Sequence, residues 1–151
     1  MTNWAEFDDL DVKSLNEEVK ELGGDYPEIP KGDYEVEIVA MEMKPSKKGF
    51  PMLVVQFKII KGEYKNQSMF MNQVLIMRDQ NDKYRISGAV KFLKSLNTKN
   101  AVSFEGVAAF DKLIDSVFKE IKDKKEFLIE VDKKNDFYTY KIKDVYDLIP
   151  F

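Results

Sequence analysis

The spacing of the apolar residues restricts the fold of this sequence more than any other feature. Residues 33–43, 52–60 and 68–77 alternate between apolar and polar side chains. A period of two residues is typical of strands with one buried face. Loops that contain Gly, Pro or Asn separate the three segments. The pattern therefore predicts three strands in meander order.

Two segments in the middle of the chain have the period of an amphipathic helix. In residues 84–97, the apolar positions Ile86, Val90, Leu93 and Leu96 fall on one helical face, and the polar run 79–82 can cap its start. The second stripe, in residues 110–121, is the clearer one. It consists of Phe110, Leu113, Ile114, Val117, Phe118 and Ile121.

Alternation returns in residues 126–131 and 137–142, which predicts a closing hairpin around residues 132–136. The chain is therefore expected to be mainly β with helices (α+β), in the order β-β-β-α-α-β-β. This is the order of the oligonucleotide/oligosaccharide-binding (OB) fold, a five-stranded Greek-key barrel with a helical insertion after its third strand. A half-open sheet packed on two helices has the same order, and we favour the barrel.

Three regions follow from this interpretation. Residues 26–143 are expected to form the barrel. Residues 1–25 form an acidic N-terminal appendage, with a short helix suggested by Leu15, Val19 and Leu22, and residues 144–151 form an acidic C-terminal tip. No apolar run is long enough to span a membrane, and the acidic start is unlike a secretory signal. A cytoplasmic protein is therefore expected.

The composition excludes most familiar enzyme chemistry, because the chain has 0 Cys and 0 His. Thiol nucleophiles, Ser-His-Asp triads and zinc sites built from thiolates and imidazoles are all excluded. Carboxylates holding Mg²⁺ remain, and Glu130 and Asp132 beside Lys133 are the nearest candidates for a nuclease. An ordinary hairpin surface explains these residues equally well. We expect no catalysis, no metal and no cofactor.

The charge is unevenly distributed, although the formal net charge is only −3. Residues 1–25 hold eight acids against two lysines, and the last eight residues hold two acids and no base. Residues 26–143 hold 22 basic against 17 acidic residues. A basic body between two acidic ends suits a nucleic-acid ligand, and solvated surface is the alternative interpretation.

An OB barrel binds its ligands with its second and third strands and with the loops between strands one and two and between strands four and five. Both loops are basic here and have aromatic neighbours. This combination suits single-stranded DNA, because lysines can follow the phosphates while rings stack on the bases. The predicted DNA-binding residues are Lys44, Lys47, Lys48 and Phe50 at the first loop, Lys133, Lys134, Tyr138 and Tyr140 at the second, and Lys58, Tyr64, Lys65, Arg78 and Arg85 as an extension.

The last residues, Asp147, Leu148, Ile149, Pro150 and Phe151, resemble the acidic tip of bacterial single-stranded DNA-binding proteins, which ends in Ile-Pro-Phe. In that family the tip docks on replication and repair enzymes. The resemblance implies a partner-binding role for Asp147, Ile149, Pro150 and Phe151, with replication or recombination proteins as partners. This chain has few nearby acids and almost no linker before the tip, so a tip folded back on the body is the alternative.

A second resemblance covers most of the chain. The segments 29–34, 46–49 and 62–66, followed by Phe70, are similar to an uncharacterised family of phage-encoded proteins from replication and recombination gene cassettes. Several of its members are presumed to bind single-stranded DNA. The resemblance implies a non-catalytic single-stranded DNA-binding protein of phage replication or recombination. The rival hypothesis is a phage protein-interaction module that docks on or inhibits a host enzyme, and the sequence leaves a homo-oligomer open.

Overall fold

A computed structural model of the chain describes residues 29–134 and 137–148. In this part of the chain, three strands are followed by two helices and two further strands. The elements are β1 (Gly32–Pro45), β2 (Pro51–Ile59), β3 (Ser68–Val74), α1 (Asp82–Ser95), α2 (Val107–Ile121), β4 (Lys125–Lys134) and β5 (Phe137–Asp147). The protein is thus α+β. The predicted N-terminal appendage lies outside the described residues.

The five strands form one antiparallel sheet in the order β3-β2-β1-β4-β5. The expectation of a closed barrel is corrected here, because β3 and β5 are the two edges of an open sheet and no ladder joins them in the described residues. Helix α1 contacts both edge strands. Its residues Gly88, Ala89 and Phe92 line the space between them, where a closing ladder would have to form.

Strand β1 lies at the centre of the sheet and pairs with two neighbours. Val36 is opposite both Ile59 of β2 and Phe127 of β4. The register with β2 shifts between Ile38 and Ala40, a bulge of the kind that bends a strand and increases its twist. The strand can therefore pair with β4 through its first half and with β2 along the rest of its length.

The core is built from one face of the sheet and one stripe of each helix. In β2 every second residue from Leu53 to Ile59 is fully buried, as the alternation of the sequence requires. Helix α2 packs on β1, and its buried residues Phe110, Ile114 and Val117 belong to the predicted stripe. The predicted apolar face of α1 is also buried at Leu93.

Several boundaries differ from the predicted ones. Strand β3 ends at Val74 rather than at residue 77, and β4 and β5 continue beyond residues 131 and 142. Asp82 accounts for the first difference, because its carboxylate accepts hydrogen bonds from the N–H groups of Met77 and Arg78 at 2.8 and 3.0 Å. These bonds turn the chain from the strand into α1. At the other end, residues 144–147 of the predicted tip belong to β5.

Candidate nucleic-acid interface

The turn between β1 and β2 holds two of the predicted DNA-binding lysines. The Gly49 N–H donates to the Ser46 carbonyl at 2.8 Å, and the Phe50 N–H donates to Ser46 Oγ at 3.1 Å. Gly49 has a φ of 85°, which suits glycine. Lys47 and Lys48 are exposed at the tip and form no ion pair with a described residue, whereas Phe50 is half-buried. The turn is therefore an ordered support for two available ammonium groups.

Lys44 and Lys58 are less available, because each has a carboxylate beside it. Lys44 Nζ lies 3.1 Å from Glu42, and Lys58 Nζ lies 3.9 Å from Glu37. Exposed pairs of this kind contribute little to stability and can be broken at small cost. Their charge is nevertheless partly neutralised, which makes them weaker candidates than Lys47 and Lys48.

The hairpin between β4 and β5 places its aromatic residues on both faces of the sheet. Tyr138 and Tyr140 point toward the core and are half-buried, whereas Phe137 is 76% exposed. Lys134 is exposed, and Lys133 is half-buried. Of the three rings, the two that the sequence singled out are the less accessible ones.

A row of aromatic rings connects the core to this hairpin. Phe92 of α1 meets Phe57 of β2 edge to face at 6.2 Å between ring centroids, and Phe57 lies 5.3 Å from Tyr140. Tyr140 stacks on Tyr138 with centroids 6.4 Å apart and an angle of 15° between the rings. Lys133 Nζ lies 5.4 Å from the centroid of the Tyr138 ring. The row therefore leads from the buried core to a cation at the surface.

The two tyrosines are held in different ways. The Tyr138 hydroxyl donates to the Ile29 carbonyl at 3.1 Å. This hydrogen bond attaches the residues just before β1 to β5. Burial, followed by the neighbouring Tyr138, raises the pKa of Tyr140 to about 12. Tyr140 is therefore a neutral packing group, and only its partly accessible side can contact a ligand.

A cleft of about 240 Å³ lies between the two edge strands. Phe70 and its neighbours on β3 form one wall, Tyr138 and Tyr140 form the other, and α1 covers the space at Gly88. None of the lining residues is charged. They are Phe70, Met71, Asn72, Gln73, Gly88, Ala89, Phe92, Tyr138, Thr139 and Tyr140, and we call this space the edge cleft.

The two basic loops do not leave the central strand from the same end. The β1–β2 turn follows the Pro45–Pro51 pair, whereas Gly32, at the start of β1, pairs with Val131 next to the β4–β5 hairpin. Strand β1 has 14 residues, so these ends lie roughly 45 Å apart along the strand at about 3.3 Å per residue. The structure brings Tyr138 and Tyr140 together, and it places the lysines of the first loop at the other end of β1.

Arg85, a predicted DNA-binding residue, is engaged within the protein. Its guanidinium donates to Asp79 at 2.8 and 3.0 Å and to Asp82 at 2.7 Å. The hydrogen bond from Arg85, together with one from the Asn81 N–H, holds the pKa of Asp79 below its ordinary value. Asp82 also accepts the hydrogen bonds that turn the chain into α1, so Arg85 stabilises this turn. Arg78 is exposed, with a φ of 62°.

The turn between β2 and β3 holds Tyr64 and Lys65. Tyr64 is half-buried, and its ring meets that of Tyr34 edge to face at 6.2 Å. Burial of Tyr34, followed by the nearby Tyr64, raises the pKa of Tyr34. Lys65 is exposed. Tyr64 is thus a packing residue, and Lys65 is the accessible group of this turn.

Of the predicted partner-binding residues, only Asp147 lies within the described part of the chain, at the end of β5. Asp147 is exposed, and its carboxylate lies 2.7 Å from Lys125 Nζ. Ile149, Pro150 and Phe151 lie outside the described residues. The Leu148 N–H donates to the Lys124 carbonyl at 2.9 Å, so the chain is still attached to the start of β4 at this point.

Several exposed rings are absent from the predicted DNA-binding residues. Phe70 is 53% exposed on β3, and Tyr84 is 68% exposed on α1. The alternation of β3 contains a signal for Phe70, because it shares the outward face with Ser68 and Asn72 while Met69 is buried. A large ring among polar outward positions is the feature that could have identified it.

Carboxylates are concentrated elsewhere on the sheet. Asp33, Glu130 and Asp132 line a cleft beside the start of β1, and Lys143 Nζ lies 2.9 Å from Asp33. No group of three acidic side chains in residues 29–134 and 137–148 is arranged to hold a metal ion. None of the helices in this part of the chain is long and apolar enough to cross a membrane.

The fold and these surfaces define an α+β protein with an open five-stranded sheet and an uncharged, aromatic cleft between its edges. A comparison with family models matches residues 12–149 to the family described as "Protein of unknown function (DUF669)". The match covers most of the 151 residues, and the chain belongs to this family. A search of curated proteins found no match to the chain.

Proposed function

We propose that this protein is a non-catalytic single-stranded DNA-binding protein that acts in phage replication or recombination. The observation that carries the proposal is the pair of exposed rings on the two edge strands. Phe70 is 53% exposed on β3, and Phe137 is 76% exposed at the start of β5, directly before the cleft residue Tyr138. Bases of any identity can stack on such rings, at about 1–3 kcal/mol per base.

The charges near the rings favour a polyanionic ligand. Lys134 is exposed at the end of β4, and Lys133 lies over the Tyr138 ring. Lys65, in the turn before β3, is also exposed. Phosphates of a single strand can follow these cations while its bases reach the rings. A duplex is expected to bind more weakly, because its bases are already stacked on each other and cannot stack on these rings.

The proposal includes an OB-type fold for the open sheet. Two features support it: β1 pairs with β2 on one side and with β4 on the other, and the edge strands β3 and β5 line one cleft. OB barrels are partly open five-stranded Greek-key barrels that bind oligonucleotides. We regard this sheet as such a barrel, opened where α1 lies between the edges.

Removal of the exposed rings tests the function. Phe70→Ala and Phe137→Ala should each weaken the binding of a fluorescein-labelled oligo-dT by about 1–3 kcal/mol and leave the salt dependence unchanged, because stacking involves no counterions. Tyr146→Ala is the matched control. Tyr146 is an exposed ring on the same strand, 41% accessible, but it lies beside Glu35 and Glu126. Equal losses in all three variants would contradict the assignment of the interface.

The proposal also assigns Asp147 and residues 149–151 to a replication or recombination partner. It rests on the resemblance of these residues to the tip of bacterial single-stranded DNA-binding proteins and on the exposure of Leu148. Removal of residues 149–151 should abolish capture of such an enzyme and leave oligo-dT affinity unchanged. A truncated protein that melts many degrees lower would show that the tip is part of the core.

A further inference from the structure

The edge cleft differs in its chemistry from two other clefts of the described residues. The cleft at Tyr146 contains Glu35, Glu126 and Lys61, and the cleft at Gly32 contains two aspartates and a glutamate. The edge cleft contains aromatic rings, two side-chain amides and three hydroxyl groups, and no charged side chain. It therefore suits a flat, uncharged group that has hydrogen-bonding edges.

The backbone around the edge cleft adds hydrogen-bonding groups. Strand β3 pairs only with β2, and β5 pairs only with β4, so each presents one unpaired edge. Unpaired N–H and C=O groups at a sheet edge are ready to bond a ligand. Asn72 is exposed on the β3 wall, and Thr139 is exposed on the β5 wall. A nucleobase has both a flat face for the rings and a polar edge for these groups.

Gly88 lines the edge cleft from α1. It lies in α1 on the wall of the cleft, and a Cβ built on it meets no atom within 4 Å. Glycine inside a helix costs roughly 1 kcal/mol relative to alanine. A larger side chain at this position would extend into open space beside the cleft without displacing another group.

We propose that the edge cleft binds a single base of the DNA strand, held between the Phe70 side of β3 and the Tyr138 side of β5. This deepens the proposed function and rests on it. The base would enter past the exposed ring of Phe70, and its phosphate would remain near Lys133, whose Nζ lies over the Tyr138 ring. A strand from a second protein is the competing occupant, but α1 covers the cleft and leaves only about 240 Å³.

Filling the cleft from the helix tests this inference without removing any contact. Gly88→Ala and Gly88→Leu should raise the Kd for oligo-dT in order of size, with about a tenfold loss or more for leucine, the scale of one lost stack. The slope of log Kd against log salt should not change, because no cation is altered. Ser116→Ala and Ser116→Leu are the matched controls, since Ser116 is exposed on α2. Thermal melts establish that each variant is folded.

A photocrosslinking experiment reads the position of the base directly. Oligo-dT that carries one 5-iodouracil should crosslink to Phe70 or Tyr138 in the natural protein, and this crosslink should disappear in Gly88→Leu. Wild-type affinity in a folded Gly88→Leu would overturn the base site and leave the proposed function standing. If Gly88→Leu changed only the oligomeric state, the cleft would be assigned to a strand from a second protein, and the base site would also be overturned. Failure of the natural protein to bind oligo-dT would overturn both proposals.

Discussion

The loop between β1 and β2 gives the sharpest electrostatic prediction. Lys47 and Lys48 are exposed on a hydrogen-bonded turn and form no ion pair with a described residue. Each can therefore contact one phosphate without first breaking an internal contact. On a single strand, each phosphate contact contributes about 0.7 to the slope of log K against log salt. Substitution of both lysines by glutamine should lower this slope by about 1.4.

The expected change is large enough to measure. Between 50 and 200 mM salt, a slope of about 1.4 corresponds to roughly a sevenfold change in affinity. The decrease in oligo-dT affinity over this range should therefore be about sevenfold smaller for the double variant than for the natural protein. Fluorescence anisotropy with labelled oligo-dT at four salt concentrations gives the slope. Lys112→Gln with Lys119→Gln is the matched control, because it removes the same charge from exposed positions on α2. A folded Lys47/Lys48 variant with the wild-type slope would refute the assignment of this loop to the phosphates.

Three further predictions follow from the structure. The free energy of unfolding, measured with urea, should fall as the pH rises from about 10 to 12, because folded Tyr140 keeps its proton up to a pKa of about 12 while the unfolded side chain loses it near 10. Tyr140→Phe should weaken this pH dependence, and an unchanged pH profile in that variant would contradict the prediction. Arg85→Ala should lower the melting temperature through loss of its bonds to Asp79 and Asp82, and a changed salt slope with unchanged stability would contradict this. Neutralisation of the acids in residues 1–25 should tighten oligo-dT binding at low salt, because these acids precede Ile29, which is hydrogen-bonded to Tyr138, and would compete with DNA for the nearby lysines. Weaker binding would show that these acids do not compete with DNA.

The elements that could be predicted are those whose pattern depends on local burial. Strand β2 and helix α2 each have one fully buried face, so their apolar periods are regular. The end of β3 could not be predicted, because it depends on bonds from Met77 and Arg78 to the carboxylate of Asp82. Barrel closure could not be predicted either. It depends on where α1 packs, and nothing in the order of elements specifies that position.

For the candidate site residues, the sequence indicates exposure better than it indicates contacts. The exposure of Lys47 and Lys48 follows from their place in a loop, and that of Lys134 from its place at the end of a strand. The roles of Tyr138 and Phe137 depend on which face of β5 is buried, and the alternation of a strand does not by itself reveal its inward side. Arginine is a residue type that often contacts phosphates, so the sequence alone predicts this role for Arg85. Its ion pairs with Asp79 and Asp82 are visible only in the folded chain.

The central claim is that this protein binds single-stranded DNA through rings and lysines. Anisotropy titrations of the natural protein with oligo-dT and with a duplex of equal length, at several salt concentrations, test it most directly. We expect the single strand to bind more tightly than the duplex, with a log Kd that rises linearly with log salt. Equal affinity for the two ligands, or no binding to oligo-dT at low salt, would contradict the claim and favour the protein-interaction module.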